Sequence, residues 1–362
     1  MKFELDQWVV PHVMRAQEYG LELCELTVKD PSLARMCLNE NPLQASPKVV
    51  AALTRSGVEA NRYPDMRMAL RTRIGKMHGF GPENVFLGNG SSENIDSMMR
   101  AFLMPGDEVL LPEPTFSLFN VRASVAGAEV VKVQFTEGDL DYNPQHYLDA
   151  ITNRTKLIVV VTPNNPTGAF FPNDAFEALL ERGIPTCIDQ AYLEFHPEVP
   201  SKADLIRRYP NAFVSHTLSK AYGLAGIRFG YLVGAPEMVS IFERLSLPWN
   251  ISFATLYAVE AALDDDATLE RNLAYNTRWL NRYAEVLREL NCRPIHPAGN
   301  FMMADASAHG RTTKQIYADA LEHGVILKTV GPLHGKDGYF RLTPGTEEEN
   351  ERAVAFFRGY FK

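Results

Sequence analysis

The segment SHTLSKAYGLAGIRFGY, residues 215–231, holds a single amine, Lys220, among small, apolar and glycine-spaced neighbours, with Arg228 further along. NAFVSH before it (211–216) and GIRFGYLVG at its end (226–234) read as strands. Lys220 therefore falls on a tight connection where glycines let a bulky ligand come close. A lone lysine more often serves surface solubility, but one in this setting can form an imine with a carbonyl compound. Asp189 closes the apolar run PTCI and is followed by Tyr192, and Arg341 stands inside the strand-like YFRLT. A charge there is costly unless it is paired. A turn aspartate and a structural ion pair are the plainer readings of those two residues.

Taken together, these groups suit pyridoxal phosphate. Its chemistry needs an imine-forming lysine, a phosphate cradle, an acid for the ring nitrogen, a partner for the ring hydroxyl and an apolar face for the ring. Asp189 can pair with the protonated ring nitrogen and so preserve the charge that draws electrons from a substrate. Tyr192 or Asn165 can hydrogen-bond the ring hydroxyl. Ser91 and Ser92 can meet the phosphate through amides and hydroxyls, with Thr217 or Ser219 adding a hydroxyl and Arg228 a charged fork. Phe116 offers a flat face to the ring, although a phenylalanine taken alone is more often core. Arg341 can take a substrate carboxylate or phosphate, and Lys328 can join it from an otherwise apolar strand.

Such residues need a sheet to hold them. FLGNGSSENIDSMMRAF (86–102) switches from strand character to helical periodicity, with Gly88 and Gly90 at the turn and Ser91 or Ser92 as the expected cap. Strands are expected at 108–111, 129–135, 156–161 and 185–188, with a loop entering a helix over 114–127 and helices near 147–151 and 174–181. The polar loop TPNNPTG (162–168) follows the buried run LIVVV, at the carboxyl end where open α/β sheets bind ligands. The alternation from 86 to 234 argues for one α/β domain with a largely parallel sheet. Outside it, helices are expected at 13–19, 48–56, 67–78, 248–263, 269–290, 313–323 and 347–357. Further strands are expected at 299–304, 325–329 and 338–343.

A chain of 362 residues suggests two domains, or one large domain with a smaller partner. Hydrophobic content of 46% and charged content of 22% describe an ordinary globular protein. The net charge of −8 opposes nonspecific binding to nucleic acid or anionic membrane. Cys24, Cys37, Cys187 and Cys292 show neither CxxC nor CxxH spacing, so no disulfide framework and no metal site are expected. No apolar run approaches the roughly 20 residues that span a bilayer, and the first residues lack a signal pattern. A cytoplasmic location is the expectation.

In order along the chain, LNENP from Leu38, NRYPD, GNGSSE, TPNNPTG, the segment 189–192, SKAYGLAGIRFGY and YFRLTPGT resemble the fold-type I pyridoxal phosphate enzymes. The resemblance is to the class I/II aminotransferases and, within them, the histidinol-phosphate aminotransferase group, and it spans nearly the whole chain. It implies an α/β fold with a large, mostly parallel-sheet domain and a smaller α+β domain. The implied division is an arm and part of the small domain in 1–40, the large cofactor domain in 41–245, connecting helices in 246–290 and the rest of the small domain in 291–362.

The same resemblance implies a homodimer with shared active sites, Tyr63 reaching the cofactor phosphate of the other subunit. It gives Lys220 both the imine and the proton transfer at the substrate Cα, Asp189 the ring nitrogen, and Asn165 and Tyr192 the ring oxygen. Phe116 would stack on the ring, and Gly90, Ser91, Ser92, Thr217, Ser219 and Arg228 would form the phosphate cup. Arg341, Asn300 and the 38–41 segment with Asn41 would meet substrate. Two departures fall on that side: Lys328 stands where the group typically has a second arginine, and His12 follows Pro11 where the arm tends to carry tyrosine. Lysine cannot make the same bidentate clamp.

The implied reaction is a ping-pong transfer of an amino group from an amino acid or related amine, L-histidinol phosphate among the candidates, to a 2-oxo acid, 2-oxoglutarate by default. Another enzyme on this fold and cofactor, such as a decarboxylase, lyase, racemase or cyclising enzyme, is the alternative, because substrate pose selects among these reactions. A noncatalytic protein that retains the fold is a third.

Overall fold

Runs of β-branched and aliphatic residues without polar interruption dictate the centre of the molecule, because strands covered on both faces need not alternate. In the computed structural model, which describes residues 3–362, seven strands form one sheet. They are β1 (Val85–Asn89), β2 (Glu108–Glu113), β3 (Glu129–Gln134), β4 (Thr155–Val161), β5 (Thr186–Asp189), β6 (Ala212–Thr217) and β7 (Phe229–Gly234). Their spatial order is β1-β7-β6-β5-β4-β2-β3. β7 is antiparallel to both its neighbours, β1 and β6, and the remaining pairs are parallel. The carboxyl ends of β1, β4, β5 and β6 consequently open on one edge.

Helices cover both faces. α1 (Ser91–Phe102) and α2 (Leu118–Ala126) contribute to one core, with Phe86, Cys187, Phe213 and Leu232 from the sheet. Val160, Ile188, Val214 and Tyr231 project to the opposite face and pack with Phe176 and Leu256. A separate core gathers both ends of the chain: Ala34 and Met36 meet Tyr283 and Leu287 of the long helix α3 (Asp266–Glu289), together with Phe340 and Phe357. Beside it lies a four-stranded antiparallel sheet of β8 (Arg293–Ala298), β9 (Phe301–Asp305), β10 (Lys328–Thr329) and β11 (Tyr339–Leu342), ordered β10-β11-β9-β8. Among the described residues no helix is long and apolar enough to cross a membrane.

The structure departs from the sequence expectation at several places. The single strand expected at 325–329 is divided: Val325–Ile326 pairs with Ala34–Arg35, while β10 pairs with β11. Leu327, fully buried in the second core, separates the two partners. The helix expected at 13–19 is the short Pro11–Arg15, ended by extended Ala16, and another helix occupies Glu22–Lys29. Neither Ser91 nor Ser92 caps α1. Gly90, at φ 75°, holds that position with no side-chain cap, and both serines fall inside the first turn. The helix expected from 248 begins at Phe253, capped by Ser252 with Thr255 N at 3.2 Å, because Trp249 adopts a left-handed φ of 53°.

Candidate active site

The open edge of the large sheet collects the residues expected to hold a cofactor. Lys220 follows β6, half-buried, its Nζ donating to Asn39 O at 2.9 Å. Burial, reinforced by the charge of Arg341, lowers its pKa to about 8, so a larger share of the amine is neutral and nucleophilic near neutral pH. Asp189 ends β5, buried, and accepts from Ala191 N at 3.1 Å. Burial raises its carboxyl to about 6. Tyr192 places its hydroxyl between the side-chain amides of Asn39 (2.9 Å) and Asn165 (3.3 Å), and burial pushes it up to about 12.

At the other end of this group, the first turn of α1 meets Arg228. Arg228 takes a left-handed φ of 59° and its guanidinium reaches Ser92 Oγ at 3.4 Å. Two glycines permit the approach. The guanidinium occupies the space a side chain on Gly90 would need, and a Cβ on Gly230 would lie 2.5 Å from Ser91 N. Thr217 Oγ1 lies 3.0 Å from both Ser219 Oγ and Phe229 O. Helix-start amides, hydroxyls and a guanidinium make a setting for a phosphate. Tyr63 is 72% exposed, stacks on Trp249 at 4.2 Å, and borders with Arg228 and Asn89 an open cavity of about 550 Å³.

The substrate side is drawn from distant stretches. Arg341 is buried, donates to Asn165 Oδ1 at 2.5 Å and to Cys37 O, and keeps its Nε without a protein partner. Burial works against its charge, which invites an anion. In the β10–β11 register Lys328 lies directly opposite Arg341, and burial followed by Arg341 lowers its pKa. Asn300 donates to Glu40 O at 3.1 Å, leaving its Oδ1 buried and unpartnered. Asn41 accepts from Leu43 N at 2.9 Å and sits beside Gly223.

One expected residue is not brought here. His12 packs near Gly127 and Pro105, at the edge of the sheet where β2 and β3 begin, because the short Pro11–Arg15 helix lies along α2. Its place is taken by Tyr19, which sequence reasoning missed. The Tyr19 ring meets Phe116 edge-on at 6.2 Å, and its hydroxyl lies beside Ser117 within electrostatic reach of Arg341. No periodicity marks Tyr19, since it stands in irregular chain between two short helices. Phe116 itself lies half-buried between Tyr19 and Phe119.

A ring that carries an aldehyde, a phosphate and a protonated nitrogen matches this donor set: a depressed lysine amine, a glycine-cleared anion cradle, and a buried carboxylate with no salt-bridge partner among the described residues. The alternating α/β sheet, with these groups at its strand ends, defines a fold-type I enzyme of the pyridoxal phosphate class.

The comparisons narrow this class. The sequence model of the family Aminotransferase class I and II matches residues 32–357. A histidinol-phosphate aminotransferase of Hydrogenovibrio crunogenus is 31% identical, over 96% of this chain and 94% of that protein. One from Idiomarina loihiensis is 33% identical, over 89% of this chain and 88% of its own. The histidinol-phosphate aminotransferase of Sinorhizobium meliloti, solved with pyridoxal-5'-phosphate, shares the fold at TM-score 0.86 with 21% identity, covering 97% of this chain and 98% of that one. The chain belongs to the class I and II aminotransferases and is a pyridoxal 5'-phosphate-dependent enzyme.

Proposed function

We propose that this aminotransferase draws its amino group from L-histidinol phosphate and passes it to 2-oxoglutarate. The observation that carries the reading is the register that sets Lys328 opposite Arg341, two basic groups on adjacent strands suited to a doubly charged phosphate. The names of the similar proteins support it. Arg341 and Lys328 bind the substrate anion, Asn300 and Asn41 line its path, and Tyr19 covers it from the arm.

The chemistry that pyridoxal phosphate supplies when bound is withdrawal of electron density from the substrate Cα. Gly90, Ser91, Ser92, Thr217, Ser219 and Arg228 would hold its phosphate, Phe116 would face its ring, and Asn165 with Tyr192 would bind the ring oxygen. Asp189 would pair with the ring nitrogen and favour its protonated form. Lys220 Nζ would hold the aldehyde end of the cofactor, and its amine is the group placed to move the proton at the substrate Cα.

Tyr63, exposed beside Trp249 at the phosphate end, serves the partner subunit in a homodimer with shared sites. The core that joins Ala34 and Met36 to Tyr283, Leu287, Phe340 and Phe357 supports a small domain built from both ends of the chain, within the proposed division near residues 40, 245 and 290. Four free thiols agree with the cytoplasm as the compartment.

A donor panel with 2-oxoglutarate as acceptor tests the substrate. Glutamate should form in step with donor consumed, with histidinol phosphate preferred over histidinol by about a hundredfold in kcat/KM, the effect of losing a buried charged partner. Equal use of the two would remove the phosphate from the reading.

A further inference from the structure

Asn39 lies where the cofactor side and the substrate side of the site meet. It is 1% exposed and adopts a left-handed φ of 52°, a conformation asparagine tolerates better than most side chains. Its carbonyl oxygen accepts from Lys220 Nζ at 2.9 Å, and its side-chain Nδ2 donates to the Tyr192 hydroxyl at 2.9 Å. Its Oδ1 accepts from Thr343 Oγ1 at 2.7 Å. Thr343 follows Arg341 just past the end of β11, and its own amide donates to Met36 O at 3.0 Å.

What each group is able to give fixes the direction of these bonds. A guanidinium only donates, so Asn165 turns its Oδ1 to Arg341 and its Nδ2 to Tyr192, at 3.3 Å. Asn39 brings a second amide to the same phenol. A phenol oxygen has two lone pairs to accept with and one hydrogen to give. The two amides take up its accepting capacity, and its hydrogen has no protein acceptor among the described residues. Only with Nδ2 of Asn39 toward Tyr192 is that hydrogen left over, because Oδ1 in its place would claim it.

We infer that Asn39 is a positioning residue: by donating to Tyr192 it makes that hydroxyl a donor toward the ring oxygen of the cofactor. The inference rests on the part proposed above for Tyr192 at that oxygen. A donated hydrogen stabilises negative charge on the ring oxygen. A Tyr192 that had given its hydrogen to Asn39 could only accept there, and would favour the protonated oxygen instead. Asn39 is itself held by Thr343, next to the strand that carries Arg341, so the hydrogen-bond polarity of the cofactor side is set from the substrate side.

The test compares the affinity of the full, ligand-free chain for pyridoxal phosphate with its affinity for the 3-deoxy analogue, which lacks the ring oxygen. The unaltered chain should prefer pyridoxal phosphate about a hundredfold. Asn39→Gly keeps the left-handed backbone and removes the amide, and should cut that preference about tenfold, the scale of one hydrogen bond to a charged group. Asn39→Asp, which sets an acceptor in the same place, should cut it at least as far. A merely structural Asn39 would weaken both ligands alike, so an unchanged ratio in the folded variants overturns the inference. Neutron diffraction of the deuterated, unaltered protein tests it without any variant: deuterons are expected on the Asn39 side-chain atom nearest Tyr192, and a bare oxygen there overturns it equally. Tyr192→Phe separates the inference from the reading beneath it. A preference kept in Tyr192→Phe removes Tyr192 from the ring oxygen, whereas one lost there but kept in Asn39→Gly removes only Asn39.

Discussion

The cofactor side of the site hangs on single strand ends, whereas the substrate side is assembled from stretches far apart in the chain. Asp189 is the last residue of its strand, and Lys220 and the start of α1 follow within three residues of the ends of theirs, so each is placed by one strand of the large sheet. Arg341 instead reaches Asn165 and Cys37, 176 and 304 positions away, and Thr343 binds Asn39 at 2.7 Å across a comparable gap. The first arrangement is rigid because the sheet is rigid. The second holds only while the two cores keep their relation, so substrate recognition is the more sensitive to movement between them.

The sharpest way to break this contrast is at Lys220. Lys220→Ala should lower glutamate formation by about a thousandfold or more, the scale of a lost covalent and proton-transferring group. Borohydride should then fix no cofactor to the chain, and a substantial residual rate would mean that another amine carries the step. Arg341→Ala comes next: KM for anionic substrates should rise about a hundredfold with pyridoxal phosphate retained. Equal loss of both would make Arg341 a structural tie between the cores.

Acidity offers a smaller effect of known sign. Capture of pyridoxal phosphate by the ligand-free chain should speed up about tenfold per unit as pH rises toward 8 and level off above it, since Lys220 loses its proton near that value. Stability follows the same group. The folded state disfavours the lysine charge, so the cost is full below about 8 and fades as pH climbs toward the ordinary 10.5, where the unfolded chain also gives up its proton. The advantage in thermal midpoint of Lys220→Met over the ligand-free wild type should therefore shrink across that interval. An unchanged gap would place Lys220 in ordinary solvent.

The smallest expected change is at the arm. Tyr19→Phe should raise KM for the phosphate-bearing donor about threefold to tenfold, the worth of one hydrogen bond. His12→Ala should have no effect on KM. The reverse order would restore the arm residue that the sequence favoured.

What could be read from the chain itself follows this same division. The glycine-spaced segment around Lys220, the aspartate after PTCI and the turn at Gly90 announce themselves because each is a local run whose backbone demands are met by its own neighbours. The alternation that builds the large sheet is local for the same reason. By contrast, nothing near Leu327 tells that the chain changes sheets there, and nothing near Tyr19 tells that it lies over Phe116. The serines of α1 were misread as caps because the sequence offers two hydroxyls and a glycine within one turn, and only the left-handed φ at Gly90 selects among them.

The sequence by itself determined the sheet, the cofactor and the residue types that serve it, since these depend on period, turn chemistry and strand ends. The tertiary structure alone decided that Lys328 faces Arg341, that His12 stands apart, and that Asn39 reaches Tyr192. Those facts depend on register and packing between segments that share no local signal, because a side chain's neighbours across a sheet are set by pairing rather than by the residues beside it in the chain.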